Sequence, residues 1–105
     1  MIRHIVWWTM KPNTGDHDAA FNANFLLDAS AELRGNPNIK NLEVAAKIEP
    51  TSTVKAELVL TCLFDDQAAY EAYKADPVHQ RFAKLVEERA ASRNCLDFLF
   101  LPSNV

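Results

Sequence analysis

Three residues of this chain, His4, Tyr73 and His79, carry side chains suited to moving protons. A neutral imidazole is a competent general base near neutral pH, and a tyrosine hydroxyl can polarise or protonate a carbonyl oxygen. His4 is a polar ring in an otherwise apolar and aromatic opening, Ile2-Arg3-His4-Ile5-Val6-Trp7-Trp8. Tyr73 and His79 are six residues apart, and an unbroken helix of 3.6 residues per turn would point them in different directions. Between them stands Asp76-Pro77. An Asp cap followed by proline at the first helical position starts a new helix instead of continuing the old one. That break lets both rings aim at one pocket.

The new helix would hold His79 in its first turn, where the helix dipole disfavours a cation and keeps the ring neutral. Expected pocket walls are Val6, Trp8, Phe21, Phe25 and Phe82. The chemistry this set implies is proton transfer next to a carbonyl, with no cofactor. A structural role fits the same residues, since a His and a Tyr at a helix corner can simply satisfy backbone groups. The third histidine, His17, lies in a polar stretch and is expected to be solvated. His4 and His79 are 75 positions apart, with no carboxylate at ligand spacing, so no metal site is expected.

The elements that would position these residues are readable in outline. Residues 2–11 are β-branched and aromatic, and Pro12-Asn13-Thr14-Gly15 stops them: a strand, then a turn. Phe21, Phe25, Leu26, Ala29 and Leu33 recur at helical spacing between acidic Asp16 and Asp18 and a closing Gly35. Residues 39–48 alternate as a second strand, with Leu42, Val44, Ala46 and Ile48 on one side. Residues 56–64 read as a third strand, and Asp65-Asp66 opens a helix through Ala69, Tyr70 and Tyr73. The restarted helix is expected to reach about Ser92, and residues 94–101 form a last strand before a tail at Pro102. The order β-α-β-β-α-β is the ferredoxin-like, split βαβ pattern of the α+β class, with a four-stranded antiparallel sheet.

Two helices can cover only one face of such a sheet. The other face would carry Ile5, Trp7, Val59, Leu63 and Leu99 beside Glu43, Lys47, Glu57, Thr61 and Asp97. It is too apolar to be left wet and too polar for an ordinary core. A homodimer pairing sheet on sheet is the expected solution.

Composition excludes much else. At 105 residues and 11.8 kDa the chain, residues 1–105, is expected to be one domain. Eleven basic against fourteen acidic residues give a net charge of −3. That argues against nucleic acid or an anionic membrane as partner. With only Gly15 and Gly35, there is no glycine-rich phosphate loop. No apolar run nears the ~18 residues of a membrane span, and the opening lacks a signal peptide's apolar core. Cys62 and Cys95 form no CxxC, so buried, reduced thiols and a cytoplasmic location are expected.

Several segments together resemble the stress-responsive A/B barrel (Dabb) family. They are Met1-Ile2-Arg3-His4-Ile5-Val6 with Lys11-Pro12, the strand Leu42-Glu43-Val44, and above all Tyr73-Lys-Ala-Asp-Pro77-Val-His79-Gln-Arg-Phe82. The resemblance spans nearly the whole chain. It implies a dimeric α+β barrel with two sheets face to face, the first strand lying between the third and fourth. Cys62 and Cys95 would then stand about 9–10 Å apart, beyond disulfide reach. The family includes plant stress-associated proteins and a polyketide cyclase. In the cyclase, the residues matching Tyr73 and His79 support an aldol condensation, and the one matching His4 lines the same pocket. A pocket histidine on its third strand corresponds to Leu58 here, so the polyketide specificity does not carry over. The resemblance thus implies a small apolar carbonyl-containing ligand, with His79 as acid/base, Tyr73 orienting the carbonyl and His4 as supporting donor. A non-catalytic stress or ligand-binding protein and a cofactor-free oxygenase are the other readings.

Overall fold

The alternation of the opening segment dictates how it is used. In a computed structural model, which describes residues 1–101, it forms strand β1, Ile2–Met10. Its even side chains are buried and its odd ones half-buried. Pro102, read above as the start of the tail, lies outside the described residues. β1 runs antiparallel to β3 (Leu58–Phe64) on one side and β4 (Ala90–Leu99) on the other, and β2 (Asn41–Ala45) flanks β3. The sheet order is therefore β2-β3-β1-β4. This is the order the resemblance implied.

Helices α1 (Ala19–Ala29), α2 (Gln67–Ala75) and α3 (Pro77–Arg89) accompany the sheet, and a 3-10 turn, Ser30–Gly35, prolongs α1. Each helix begins at an aspartate whose carboxylate accepts a backbone N–H: Asp18 from Phe21, Asp66 from Ala69, Asp76 from Val78. Asp76 does double duty. Its extended backbone ends α2, and Pro77 then opens α3 in the first helical position. Gly15 supplies the turn after β1 with a φ of 66°, a region that costs other residues strain.

The core fills the layer between helices and sheet. Val6, Leu58, Leu60 and Phe64 from the strands meet Leu26, Leu33, Tyr73, Phe82 and Val86 from the helical layer, all buried. Each such side chain contributes roughly 1.5–3 kcal/mol on leaving water.

Several boundaries differ from the sequence reading. β2 stops at Ala45, because β3 begins at Leu58 and the last ladder pair is Ala45 with Val59. The largest shift is at the end of α3. The helix stops at Arg89, three residues short of Ser92, and β4 starts at Ala90 with no intervening loop. Pairing with the far end of β1, down to Met10 opposite Ala90, recruits residues that would otherwise prolong the helix.

Register corrects a second expectation. Opposed residues are His4 with Asp97, Val6 with Cys95, Ile5 with Leu96 and Arg3 with Phe98. Opposed residues share a face. Asp97 and Leu99 thus belong to the helix-covered side, and the open face carries Leu96 and Phe98 in their place. Cys95 is exposed, contrary to the expectation of two buried thiols, while Cys62 is buried.

Candidate functional site

Between β1, β4 and α3 lies a cavity of about 450 Å³. His4, Val6 and Trp8 of β1 line it, with Tyr73 from the end of α2 and His79, Phe82 and Val86 from α3. β4 closes one side with Ser92 and Arg93, and Leu60 of β3 contributes to the floor. The three proton-moving side chains singled out in the sequence therefore line one cavity.

The Asp76 break brings two of them together. Because α3 restarts in a new direction, the rings of Tyr73 and His79 stand 4.4 Å apart, tilted by 57°. His79 Nδ1 lies 3.3 Å from the Lys74 carbonyl oxygen. A carbonyl can only accept, so Nδ1 carries the proton and Nε2 presents its lone pair. Burial holds the ring below the usual histidine pKa, offset in part by that carbonyl. The Tyr73 hydroxyl lies against the Cys62 thiol. Burial pushes the Tyr73 pKa well above the usual phenol range and that of Cys62 up to about 12. Both stay protonated, and Tyr73 can serve as a hydrogen-bond donor.

His4 is built into a polar cluster at the sheet edge. Its Nδ1 donates to Asp97 Oδ1 at 2.5 Å, and the Tyr70 hydroxyl donates to Asp97 Oδ2 at 3.1 Å. The Tyr70 oxygen is also 3.2 Å from His4 Nδ1, and Cys95 Sγ lies 3.6 Å from that nitrogen. Burial is the largest influence on His4 and lowers its pKa, with Asp97 acting the other way. Burial raises the Asp97 pKa, but the bonds from His4, Tyr70 and Cys95 outweigh it and leave the carboxyl below its usual range. At pH 7 the pair is a neutral imidazole held by a carboxylate, and His4 Nε2 is the nitrogen left for the cavity. That makes it an acceptor, where the sequence reading had a donor.

Phe21 and Phe25, expected as pocket walls, lie elsewhere. Phe21 is 46% exposed and stacks on solvated His17 with centroids 3.8 Å apart. Phe25 packs under the Arg89 guanidinium at 4.0 Å. Asn22 turns inward instead, because Thr14 and the Lys11 carbonyl satisfy its amide. Asp97, Tyr70 and Arg93 went unassigned to the site in the sequence reading. A single carboxylate in the apolar run Cys95-Leu96-Asp97-Phe98-Leu99 was the available signal, but the β4 register was needed to place it. His4, Cys95 and Asp97 together offer nitrogen, sulfur and oxygen atoms within 4.8 Å of one another. As a donor set they are mixed, and their protons are engaged in the hydrogen bonds above.

A four-stranded antiparallel sheet with helices on one face and a cavity between the layers defines a ferredoxin-like α+β protein. The profile of the stress responsive A/B barrel domain matches residues 2–100, and the chain belongs to that family. Solved structures agree on the fold. A Dabb family protein from Mesorhizobium loti is 26% identical with a TM-score of 0.74, covering 96% of this chain and 97% of its own. A dimeric ferredoxin-like protein of unknown function from Thermobifida fusca is 20% identical, TM-score 0.77, over 94% and 90%. A hydroxynitrile lyase from Passiflora edulis is 15% identical, TM-score 0.77, over 97% and 94%. A comparison with curated protein sequences finds no match. No helix among the described residues is long and apolar enough to cross a membrane.

Proposed function

We propose that the chain is a homodimeric Dabb-domain protein whose cavity carries out cofactor-free acid/base chemistry on a small carbonyl compound. The observation that carries this is the convergence of two neutral imidazoles and a protonated tyrosine on one apolar cavity. His79 Nε2 takes the proton from the carbon beside the carbonyl. The electron pair of the broken C–H bond moves toward the carbonyl oxygen, which the Tyr73 hydroxyl holds by hydrogen bond. The enolate is quenched when the imidazolium returns its proton, to the same carbon, to another, or to the alkoxide oxygen after carbon–carbon bond formation. Isomerase and cyclase outcomes share this first step, whereas a retro-aldol lyase would run it in reverse: His79 takes the hydroxyl proton, the carbon–carbon bond breaks with its pair passing toward the oxygen held by Tyr73, and the imidazolium returns the proton to carbon. His4, oriented by Asp97, is the second acceptor, and Val6, Trp8 and Phe82 pack the ligand body.

That a structural neighbour is a hydroxynitrile lyase accords with a carbonyl substrate class. Dimeric neighbours and the open face of Ile5, Trp7, Val59, Leu63, Leu96 and Phe98 support assembly sheet to sheet into a dimeric barrel. A non-catalytic ligand-binding reading has one observation in its favour: the His79 bond to the Lys74 carbonyl satisfies the helix corner.

Deuterium wash-in at the α-carbon of propiophenone in D2O, followed by NMR, separates the two. Wild type should accelerate exchange, and His79→Ala or Tyr73→Phe should reduce the acceleration by about 10²-fold or more while the dimer stays folded. Exchange at the buffer rate, or unaffected by both variants, would overturn the catalytic reading. A fall in melting temperature as the only effect of His79→Ala would favour the structural one.

A further inference from the structure

The polar cluster at the sheet edge brings three different donor atoms together. His4 Nδ1, Cys95 Sγ and an Asp97 carboxylate oxygen all lie within 4.8 Å of one another. The β1–β4 register makes the set, since His4 stands opposite Asp97 and Val6 opposite Cys95, all on the helix-covered face. His4 is buried, whereas Cys95 and Asp97 are exposed. The group is therefore anchored on its nitrogen side and open to solvent on its sulfur and oxygen side.

The spacing of these atoms is that of ligands around a tetrahedral ion. Zinc bonds of about 2.0–2.3 Å hold neighbouring ligand atoms about 3.3–3.7 Å apart in a tetrahedron. Cys95 Sγ lies 3.6 Å from His4 Nδ1 and 3.7 Å from Asp97 Oδ1. Only the third edge is short, 2.5 Å from His4 Nδ1 to Asp97 Oδ1, the distance of two atoms with a proton between them. The Asp97 side chain is 39% exposed, which leaves the carboxylate room to swing outward and admit an ion. Tyr70 donates to its other oxygen at 3.1 Å, the kind of outer bond that orients a ligating carboxylate. Two cations stand nearby: Arg93, whose side chain reaches the Cys95 thiol, and Lys74, which pairs with Glu71. A thiolate and a carboxylate together balance the two charges of a divalent ion, so neither cation would face a net positive centre.

We infer that His4 Nδ1, Cys95 Sγ and Asp97 Oδ1 form a tetrahedral binding site for Zn2+, with water as the fourth ligand. Nitrogen and sulfur donors select zinc or cobalt over magnesium and calcium, which take oxygen. On binding, the thiol proton leaves to solvent and Asp97 exchanges a hydrogen bond for the ion. The imidazole proton passes by way of water from Nδ1 to Nε2, so one proton is released per ion. The site stands apart from the chemistry proposed for the cavity, which begins at His79. Its effect there rests on that reading: Nε2 is the His4 nitrogen left for the cavity, and the ion turns it from acceptor into donor.

The probe is Co2+, a spectroscopic stand-in for zinc, titrated alone into the reduced full chain and then displaced by Zn2+. One ion per chain should bring a thiolate-to-cobalt charge-transfer band and the intense visible bands of tetrahedral cobalt, and zinc should abolish both. Cys95→Ser should remove the charge-transfer band, whereas Cys62→Ala, which takes away the other thiol, should leave it. Asp97→Asn should weaken binding at least about tenfold, since even outer-shell partners are worth 10–100-fold. Arg93→Gln should tighten it by removing the cation beside the thiolate. Circular dichroism of the metal-free variants checks that each is folded. In the zinc-bound chain, nitrogen-15 spectra of the His4 ring should show its proton moved from Nδ1 to Nε2. Octahedral cobalt with no charge-transfer band, a band that survives Cys95→Ser, or a His4 ring still protonated at Nδ1 with zinc bound overturns the inference. The two proposals fail separately. Stoichiometric cobalt binding without α-proton exchange removes the chemistry and leaves the metal site, while exchange in a chain that binds no cobalt does the reverse.

Discussion

The two faces of the sheet are made from alternate residues of the same strands, yet they are finished differently. On the helix-covered face Ile2, His4, Val6, Trp8 and Met10 are all buried, and among the described residues the Trp8 indole N–H is the one fully buried side-chain polar atom without a partner. On the open face Arg3, Ile5, Trp7 and Thr9 are half-buried, while Leu96 and Phe98 are 51% and 42% exposed. The covered face is completed within the protomer and owes its stability to dense packing. The open face is a mixture of apolar and polar side chains, and it is the face on which the proposed dimer would pair its sheets. Polar residues are tolerated under the helices only where a network satisfies them, as at His4, Tyr70 and Asp97. The price of that network is sensitivity to protonation.

The largest test of this contrast is in the covered core. Phe64 is fully buried, with its ring 5.2 Å from both Tyr70 and Tyr73. Phe64→Ala should cost about 3–5 kcal/mol in urea unfolding, as large-to-small changes in packed cores do. A loss below 1 kcal/mol would mean that the layer is loosely packed.

Next comes the polar network. Asp97→Ala removes the acceptor of bonds from His4, Tyr70 and Cys95. It should cost about 1–2 kcal/mol, toward the low end for an unmade buried bond because water reaches the carboxylate. If His4 is a working acceptor, the same change should also slow α-proton exchange by letting the ring rotate; unchanged exchange would assign Asp97 to stability alone.

Acidification probes the network through linkage. His4 and His79 have folded pKa values below the ordinary 6.5, so the unfolded chain binds protons first. Their contribution is complete above pH 6.5 and is lost as pH falls through the lower folded values. Asp97, also depressed, adds a second loss below its ordinary value of 3.8. Stability should therefore decline as pH falls below 6.5 and decline again below 3.8. The double variant His4→Gln, His79→Gln should flatten the first decline, and a flat wild-type profile would contradict the burial of both rings.

The smallest effect on the protomer is expected on the open face. Leu96→Arg should change the stability of the isolated protomer by no more than about 0.5 kcal/mol. It should nonetheless shift sedimentation from dimer to monomer by burying a charge in the proposed interface. A wild-type monomer at micromolar concentration would break the comparison itself.

How far the sequence reaches can be argued element by element. The cap at Asp76 with Pro77 after it, and the acidic starts at Asp16/Asp18 and Asp65-Asp66, were legible because capping is local chemistry, decided within four residues; the structure picks Asp18 and Asp66 from those pairs. The parity of β1 was legible only in part: Arg3, Thr9 and Lys11 fall on the odd positions, but Ile5-Val6-Trp7-Trp8 puts apolar side chains on both faces. β4 was not, since Cys95, Leu96, Phe98 and Leu99 give both faces apolar residues and no period to count. Helix α1 misled in a different way. Phe21 and Phe25 outrank Asn22 in hydrophobicity, but only Asn22 has hydrogen-bond partners inside, so the amide turns in and the rings lie against His17 and Arg89.

By itself, then, the sequence determined the order of strands and helices, the break that frees Tyr73 from His79, and the family through its tyrosine–proline–histidine signature. The tertiary structure alone decided which residues of β4 join them. Asp97 meets His4, and Arg93 meets Trp8, through an antiparallel register fixed by the pairing of residues some 90 positions apart. A shift of one residue would turn both charges to the opposite face. Local propensity carries no information about such a register, because it is set by the ladder and the packing that the whole sheet must satisfy together.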